Sequence, residues 1–294
     1  MGSAPPMMGP ASLMKTEPTR RPTRKGEFLI TIGSRLEGKV AVITGGATGI
    51  GKTTAILFSQ QGCKVVIADI QDELGQSVCD EIGPEMSSFI HCDVTIEDDV
   101  KNAVDEAVSR FGKLDIMFNN AGIIGPQNVK IMENEKLDFE SVIAVNVTGV
   151  FLGTKHAARV MIPRKQGSII NNGSVSSIMG GLISHAYVAS KHAAVGLTKN
   201  AAAELGKFGI RVNCVSAFAA ASPLARNAFK NDDDEIEKRV GKLCSLKGVS
   251  LTVEDIAEAV VYFGGDESRC VSGHNFVIDG GFTVATTSFG LFRQ

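Results

Sequence analysis

The chain has 294 residues, of which 44% are hydrophobic and 21% charged, a composition typical of a folded globular protein. Its formal net charge of −2 argues against a dedicated nucleic-acid binder, which normally presents a concentrated basic surface. No uninterrupted apolar run approaches the roughly 20 residues that span a bilayer, so we predict no membrane span. The six cysteines contain no CxxC pair, so we predict no metal site, no disulfide framework and a reducing, cytoplasmic location.

The first 35 residues differ in composition from the rest of the chain. Five of the nine prolines lie within residues 1–22, and residues 1–35 hold six Lys or Arg against two acidic residues. No period of two or 3.6 residues would bury a face there, so residues 1–35 are predicted to be a disordered leader. A basic, acid-poor leader has two interpretations, a plastid transit peptide or a solvated segment without a targeting role. Residues 36–294 are predicted to form a single domain.

From residue 39 onward, short apolar runs alternate with stretches of helical spacing. The first strand is predicted over Lys39–Thr44, and the helix after it over Gly49–Gly62. Further strands are predicted at residues 63–69, 87–93, 114–118, 167–171, 210–215 and 276–278. Six apolar residues between Val100 and Phe111 share one face of a helix, as a helix that covers a sheet requires. The alternation predicts a doubly wound α/β fold with a seven-stranded parallel sheet flanked by helices.

Three glycines follow the first predicted strand, where it turns into a helix. In Thr44-Gly-Gly-Ala-Thr-Gly-Ile-Gly51, bare backbone at Gly45, Gly49 and Gly51 lets a diphosphate approach the N–H groups of the helix start. The spacing alone is weak evidence, because a chain with 32 glycines often contains it by chance. The interpretation as a dinucleotide-binding turn therefore needs a second signal.

Asp69, at the end of the second predicted strand, is that second signal. It lies 18 residues beyond Gly51, where a carboxylate can accept hydrogen bonds from the ribose hydroxyls of adenosine. A carboxylate there repels a 2′-phosphate, and the glycine turn contains no Lys or Arg, so we predict NAD rather than NADP as cofactor. The alternative interpretation of Asp69 is a solvated strand-end acid or a helix cap.

Tyr187 and Lys191 form a second candidate site, and Tyr187 is one of only two tyrosines. Their spacing of four residues places the phenol and the ammonium on one helix face. A phenol with a pKa near 10 is a poor base at neutral pH, and a neighbouring ammonium lowers that pKa by stabilising the phenolate. Ser174, thirteen residues before Tyr187, offers a hydroxyl for a substrate oxygen. Ser176 and Ser177 are close enough to compete for this assignment.

These motifs, together with Asn119-Asn-Ala-Gly122 and Asn146, occur in an order that resembles the short-chain dehydrogenase/reductase family. The resemblance covers residues 36–282 and implies a Rossmann fold that binds a nicotinamide cofactor. Four runs, at residues 155–163, 202–206, 209–216 and 271–281, resemble the plant branch that acts on terpenoid and lignan alcohols. That branch includes secoisolariciresinol, xanthoxin, isopiperitenol and borneol dehydrogenases.

The resemblance implies a role for each matched residue. Tyr187 would act as general base, Lys191 would lower its pKa and bind the nicotinamide ribose, and Ser174 would orient the substrate oxygen. Asn146 would hold a water that links Lys191 to solvent. The complete set of predicted cofactor-binding residues is Gly45, Thr48, Gly49, Ile50, Gly51, Asp69, Asp93, Val94, Asn119, Ala121, Gly122, Tyr187, Lys191 and Ser222. The family also implies a homotetramer, built in part from the helices around Asn146 and Tyr187 and from the C-terminal strand.

The segment after the sixth predicted strand departs from the family pattern. Ala217 and Ala220 stand where relatives carry a proline and a valine, whereas Ser222 matches the residue that meets the carboxamide of the cofactor. We predict a substrate lid around residues 217–247 and a substrate pocket formed by Ser174, Ser176, His185, Phe218 and Leu224. A surface helix packed on the body is the alternative for any single residue of the lid. The acidic run Asp232–Asp234 is interpreted as an exposed helix start rather than a metal site.

The sequence thus predicts NAD-dependent oxidation of a secondary alcohol on a small apolar, terpenoid substrate, or the reverse reduction of the ketone. Two alternatives stay open. The altered segment at residues 217–221 motivates an isomerase or cyclase for which NAD is only a scaffold. A non-catalytic dinucleotide-binding protein is the other, and the intact set of Asn146, Ser174, Tyr187 and Lys191 argues against it.

Overall fold

The structure, a computed structural model, describes residues 34–284. This part of the chain contains seven strands: β1 Val40–Thr44, β2 Lys64–Asp69, β3 Ser87–His91, β4 Ile116–Asn119, β5 Gly167–Asn172, β6 Ile210–Ala217 and β7 Asn275–Ile278. Nine α-helices alternate with them: α1 Gly49–Gln60, α2 Asp72–Ile82, α3 Glu97–Phe111, α4 Lys136–Ile143, α5 Gly149–Met161, α6 His185–Leu205, α7 Pro223–Phe229, α8 Asp233–Leu243 and α9 Val253–Gly264.

All seven strands belong to one sheet in the order β3-β2-β1-β4-β5-β6-β7. Every neighbouring pair is parallel, as the alternation of strands and helices predicts. The predicted doubly wound, seven-stranded sheet is confirmed. The order reverses between β1 and β4, and in such sheets this reversal opens a crevice at the carboxyl ends of the strands.

The sheet is buried on both faces, each with its own apolar cluster. On one face, residues of α1 and α9 such as Phe58 and Val260 pack on the strands. On the other face, α3 and α5 contribute Val104 and Leu152. The predicted apolar face of α3 is confirmed in its centre, where four residues are buried, whereas Val108 near its end is exposed. Burial on both faces explains why the strands are continuous apolar runs rather than alternating ones.

Helices α4 and α5 are joined by a π-helical segment, Ala144–Thr148, into one continuous helix. Among the described residues, this 26-residue helix, Lys136–Met161, is long and apolar enough by length and composition to cross a membrane. However, Leu152, Ala157 and Met161 lie in the core cluster that also contains strand residues. The α5 part of this helix therefore packs on the sheet as a core helix.

The last residue of the predicted leader, Arg35, contacts the domain that follows it. Arg35, assigned to the leader, forms ion pairs with Glu258 and Glu267 at 3.0 and 2.9 Å. Leu36 next to it is fully buried. Residues 1–33 lie outside the described residues, so the predictions of a disordered leader and of a cytoplasmic or plastid location stay predictions.

We expect Gly153→Ala to destabilise the protein, because α5 packs closely on β4 at this residue. A Cβ at this position would overlap Oδ1 of Asn119 and lie 2.9 Å from Cε of Met117. Overpacking of this kind costs roughly 1–3 kcal/mol, which urea unfolding measures.

Gly196→Ala is the matched control for this substitution. Gly196 also lies within a helix, but it is exposed and no atom lies within 4 Å of its Cβ position. The free energy of unfolding of the Gly196→Ala variant should stay unchanged or rise by up to about 1 kcal/mol, because alanine has the higher helix propensity. Equal stability of the Gly153 variant and the wild type would contradict the close packing of α5 on β4.

Candidate active site

A cavity of about 510 Å³ lies at the carboxyl ends of the strands, where the strand order reverses. Residues at or directly after the ends of five strands line it: Gly45, Asp69, Asn120, Asn172 and Ala217. Its volume is in the range of small-molecule and cofactor sites. The predicted dinucleotide turn and the predicted Tyr–Lys pair both line this cavity, so the fold brings the two motifs into one site.

The glycine turn between β1 and α1 forms one wall of the cavity. Gly45 and Gly49 have φ of +63° and +51°, a region that favours glycine. Thr48, Gly49 and Ile50 line the cavity, and the Thr48 side chain makes no cap bond to the first turn of α1. The N–H groups of this helix start therefore face the cavity without a side-chain acceptor, an arrangement that suits an anionic diphosphate.

Gly51 has a different role from the one predicted. It does not line the cavity. A Cβ on Gly51 would overlap the carbonyl oxygen of Gly45 and lie 2.6 Å from Nδ2 of Asn120. The absent side chain thus lets α1 pack closely against the end of β1, and a contact of Gly51 with the cofactor stays a prediction.

The Asp69 carboxylate at the end of β2 is buried and lines the cavity. Its Oδ2 accepts a hydrogen bond from Ala47 N at 2.9 Å, and its Oδ1 accepts from Gln71 N at 3.0 Å. These bonds hold the carboxylate against the glycine turn. They leave acceptor capacity for a ligand, because two carboxylate oxygens offer about four lone pairs.

Most of the other predicted cofactor residues line the same cavity: Asp93, Val94, Ala121, Gly122 and Ser222. Asn119 differs, because its side chain is buried and its Nδ2 donates to Asn171 Oδ1 at 2.8 Å. Asn119 thus holds β4 to β5 and does not face the cavity.

Asn120 lines the cavity in place of Asn119, although no role is predicted for it from the motifs. Its Nδ2 donates to the carbonyl oxygens of Thr44 and Gly45, at 2.9 and 3.0 Å. The pair of adjacent asparagines is the signal that could have identified it. Because neighbouring residues at a strand end point to opposite sides, only one of the two can face the cavity.

Ser174, Tyr187 and Lys191 meet in the cavity. Nζ of Lys191 lies 5.4 Å from the centroid of the Tyr187 ring, so the predicted shared helix face is confirmed in space. The ammonium donates to the carbonyl oxygen of Asn172 at 2.8 Å, an acceptor that the sequence analysis did not identify. Ser174 Oγ accepts from Ser176 N at 3.1 Å, which orients the hydroxyl at the end of β5.

Burial controls the protonation of this pair. It raises the pKa of Tyr187 to about 12, and the adjacent Ser174 hydroxyl acts in the opposite direction. Burial also lowers the pKa of Lys191 to about 8. The direction for Tyr187 is opposite to the one expected from its spacing to Lys191, because loss of water dominates and the ammonium donates to Asn172 O instead. The phenol therefore keeps its proton at neutral pH until the charged phenolate gains further stabilisation.

Asn146 lies in the π-helical segment behind the cavity wall. Its Oδ1 accepts from Ile123 N at 2.8 Å, and its Nδ2 donates to Ile123 O at 2.8 Å and to Ser190 Oγ at 3.0 Å. A Cβ on Gly122 would lie 3.3 Å from Oδ1 of Asn146 and 3.7 Å from Nζ of Lys191. Asn146 thus fixes the loop after β4 beside Lys191, and the predicted water relay stays a prediction.

The predicted substrate-pocket residues separate into two groups. Ser174, Ser176, Phe218 and Leu224 line the cavity. His185 does not line it: this residue is exposed in the first turn of α6. The physical reason is helix geometry, because a residue two positions from Tyr187 lies about 200° around the helix from it.

Ser177, the other serine that could compete with Ser174, makes structural contacts. Ser177 Oγ lies 3.2 Å from Ser216 Oγ and accepts from Asn275 Nδ2 at 3.3 Å, so it ties the loop to β6 and β7. Phe282 was missed by sequence reasoning, and it stacks on Phe218 with ring centroids 4.2 Å apart. No spacing in the sequence could have identified this pair, because 64 residues separate its members.

The predicted acidic run at the start of α8 takes part in local structure. Asp232 caps α8 by accepting from Glu235 N at 2.9 Å. Asp233 accepts two bonds from Nη1 of Arg226, each at 2.8 Å. These contacts agree with the interpretation of an exposed helix start.

Comparison with known proteins places this geometry in a family. The family described as enoyl-(acyl carrier protein) reductase matches residues 45–283. The chain is 58% identical over 269 residues to secoisolariciresinol dehydrogenase of Forsythia intermedia, covering 91% of this chain and 97% of that one. It is 53% identical over 266 residues to (+)-borneol dehydrogenase 2 of Salvia officinalis, covering 88% and 94%.

A solved structure agrees with these relatives. The crystal structure of levodione reductase matches with a TM-score of 0.80 and 31% identity, covering 86% of this chain and 100% of that one. The resemblance predicted from the motifs is confirmed, including the plant branch. With this fold, the glycine turn and the Ser174, Tyr187 and Lys191 set in one cavity, the chain belongs to the short-chain dehydrogenase/reductase family, whose fold binds a nicotinamide dinucleotide.

Proposed function

We propose that this protein oxidises a secondary alcohol on a small apolar, terpenoid-like substrate with NAD, and reduces the ketone in the reverse direction. The observation that carries the proposal is the convergence of Ser174, Tyr187 and Lys191 on a cavity that the glycine turn also lines. Phe218, Leu224 and other apolar residues also line it. The relatives named for secoisolariciresinol and borneol support an alcohol of this class.

The residues present fit a dinucleotide. The α1 start would hold the diphosphate, and Asp69 would accept bonds from the adenosine ribose. Asp93 and Val94 would contact the adenine end, while Ala121, Gly122 and Ser222 would contact the remainder. A nicotinamide held there would supply the acceptor for the hydride of the carbinol carbon.

The chain's own residues then manage the proton. Ser174 Oγ and the Tyr187 phenol hold the substrate oxygen, so that the carbinol carbon points toward the cofactor side of the cavity. The Tyr187 oxygen takes the hydroxyl proton, the C–H electron pair leaves as hydride, and the C–O bond becomes a carbonyl. Lys191 carries the positive charge nearest to the phenolate and stabilises it. The carbonyl of Asn172 holds the ammonium in place.

The preference for NAD rests on charges near the end of β2. Asp69 lines the cavity there, and Lys52, the cation directly after the glycine turn, pairs with Glu81 at 2.9 Å. Among the described residues that line the cavity, the only cations are Lys191 and Arg239, which come from α6 and α8. A 2′-phosphate would thus meet a carboxylate without a compensating cation.

Residues 217–247 are proposed as the substrate lid. Leu224 and Phe229 of α7 and Val240 of α8 line the cavity, so these short helices cover it on one side. The altered segment at its start continues the strand, because Phe218 N donates to Ile278 O at 2.9 Å. This regular geometry does not favour the isomerase or cyclase. Product without a rise in the near-ultraviolet absorbance of NADH would favour it.

The first test removes the phenol hydroxyl. Tyr187→Phe should lower turnover with a cyclic monoterpenol by at least about 100-fold, because it deletes the proton acceptor and leaves the ring in place. NAD affinity, measured by calorimetry, should change little. For the wild type, the rate of oxidation should rise with pH at first, because burial holds the pKa of Tyr187 above its ordinary value. It should fall again above about pH 8, where Lys191 loses the charge that stabilises the phenolate.

Tyr262→Phe is the matched control, since Tyr262 is the second tyrosine and lies on α9 outside the cavity. It should leave turnover unchanged. Wild-type turnover in the Tyr187 variant would exclude Tyr187 as the base.

The second test concerns cofactor choice. Asp69→Ala should weaken NAD binding and lower the preference for NAD over NADP by about tenfold or more, because it removes ribose acceptors and a charge that repels the 2′-phosphate. Calorimetric titration with both cofactors gives the ratio. Asp72→Ala, at an exposed position nearby, is the control. An unchanged ratio in the Asp69 variant would contradict the assignment.

A third test addresses assembly, because we propose a homotetramer. The continuous helix Lys136–Met161 exposes large apolar side chains, among them Leu137 at 76% and Phe151 at 49%. Exposed apolar surface of this kind is typical of an interface between copies. Light scattering of the full chain should give the mass of four copies, and Phe151→Asp should lower it. A monomeric wild type would contradict the proposal.

A further inference from the structure

The cavity wall formed by α7 and α8 is apolar except for one cation. Its apolar members are Pro223, Leu224, Ala225, Ala228, Phe229, Ile236, Val240 and Leu243. Arg239 of α8 lines the cavity among them. Its guanidinium carbon lies 5.8 Å from the centroid of the Phe229 ring, a cation–π contact that places the charged group beside the apolar wall.

The Arg239 guanidinium has no carboxylate within 4.0 Å and no hydrogen-bond partner among residues 34–284. The nearby acids are engaged elsewhere. Glu235, one helical turn before Arg239, accepts a hydrogen bond from Asn231 Nδ2. Asp233 pairs with Arg226. All five N–H donors of the guanidinium are therefore free to meet a ligand or water.

A purely hydrocarbon substrate would cover this wall at a cost. Arg239 is exposed to solvent. A hydrocarbon group that covered its guanidinium would remove that water without replacing the hydrogen bonds, and such unpaired charged groups are expensive to bury. A carbonyl or carboxylate on the substrate would instead accept charge-assisted bonds, two of them in parallel where the geometry allows. The wall thus favours a ligand that is apolar over most of its length and carries an acceptor oxygen at one end.

We infer that Arg239 selects substrates that carry, besides the hydroxyl oxidised at Tyr187, a carbonyl or carboxylate oxygen on the part that faces α8. The inference rests on the proposed function and narrows its substrate class from apolar alcohols to apolar alcohols with a second, acceptor oxygen. Arg239 does not reach the reacting atoms in this role. It is a specificity residue, which acts on substrate binding and leaves proton transfer to Tyr187.

The test compares matched alcohols. The substrates are cyclohexanols that carry a carboxylate at position 4, attached directly or through a short methylene chain. Each acid is paired with the same alcohol in which a methyl group replaces the carboxylate. For the wild type, kcat/KM should favour the acid in at least one pair. Arg239→Met should lower that preference by about tenfold or more, through KM, because a charge-assisted bond is lost. Arg239→Lys should retain part of it.

Two measurements separate this role from others. Lys238→Met changes the exposed cation next to Arg239 on α8, which does not line the cavity, and should leave the preference unchanged. Calorimetric titration with NAD should give the same affinity for wild type and Arg239→Met. A weaker NAD affinity in Arg239→Met would show that Arg239 binds the cofactor phosphates. An equal fall in kcat/KM for the acid and for its methyl partner would show that Arg239 acts through packing of the lid. Either result, or a wild type without preference, overturns the inference.

Failure of the proposed function gives a different result. If the wild type forms no NADH with any alcohol, the dehydrogenase proposal fails. Titration of the NAD-loaded protein with the same acids and their methyl partners then tests Arg239 alone. The inference is supported if the wild type binds an acid more tightly than its methyl partner and Arg239→Met does not. Equal binding of the acid and the methyl partner by the wild type contradicts it.

Discussion

A chain of hydrogen bonds across three strands joins the two halves of the site. Asn120 Nδ2 donates to the carbonyl oxygens of Thr44 and Gly45 in the cofactor turn, and its Oδ1 accepts from Asn172 Nδ2 at 3.0 Å. The carbonyl oxygen of Asn172 in turn accepts from Lys191 Nζ at 2.8 Å. A buried polar group left unpaired costs about 1–3 kcal/mol, so the turn and the ammonium are held at a fixed separation. Hydride and proton transfer both depend on that separation.

The burial that creates the cavity also sets its acid–base chemistry. Burial disfavours the charged form of each group, so it raises the pKa of the Tyr187 phenol and lowers the pKa of the Lys191 ammonium. A phenol that holds its proton and an amine close to losing one allow a proton to pass through the site at moderate pH. The same apolar surroundings strengthen the interaction of phenolate and ammonium once they form. Binding and catalysis therefore share one physical cause.

The cavity wall formed by α7 and α8 is structurally separate from this machinery. Ala225, Ile236, Val240 and Cys244 form a small cluster of their own, apart from the two clusters that cover the sheet. Substitutions there can change which substrate fits without disturbing the strands that carry the site. Arg239 belongs to this wall, whereas Ser174 and Lys191 are anchored to the sheet. The division agrees with a family in which a constant fold serves many alcohols.

The sequence by itself determined what depends on local pattern. Apolar runs and helical spacing identified the strands and the parallel sheet, and four-residue spacing placed Tyr187 and Lys191 on one face. The tertiary structure decided what depends on direction across the sheet and between distant segments. Strand register turned Asn120 rather than Asn119 toward the cavity, and helix rotation turned His185 away. Folding brought Phe282 onto Phe218, 64 positions earlier in the chain, and the packing of α7 and α8 placed Arg239 at an apolar wall of the cavity. The sequence could not show either contact, because contacts between distant segments leave no periodic signal along the chain.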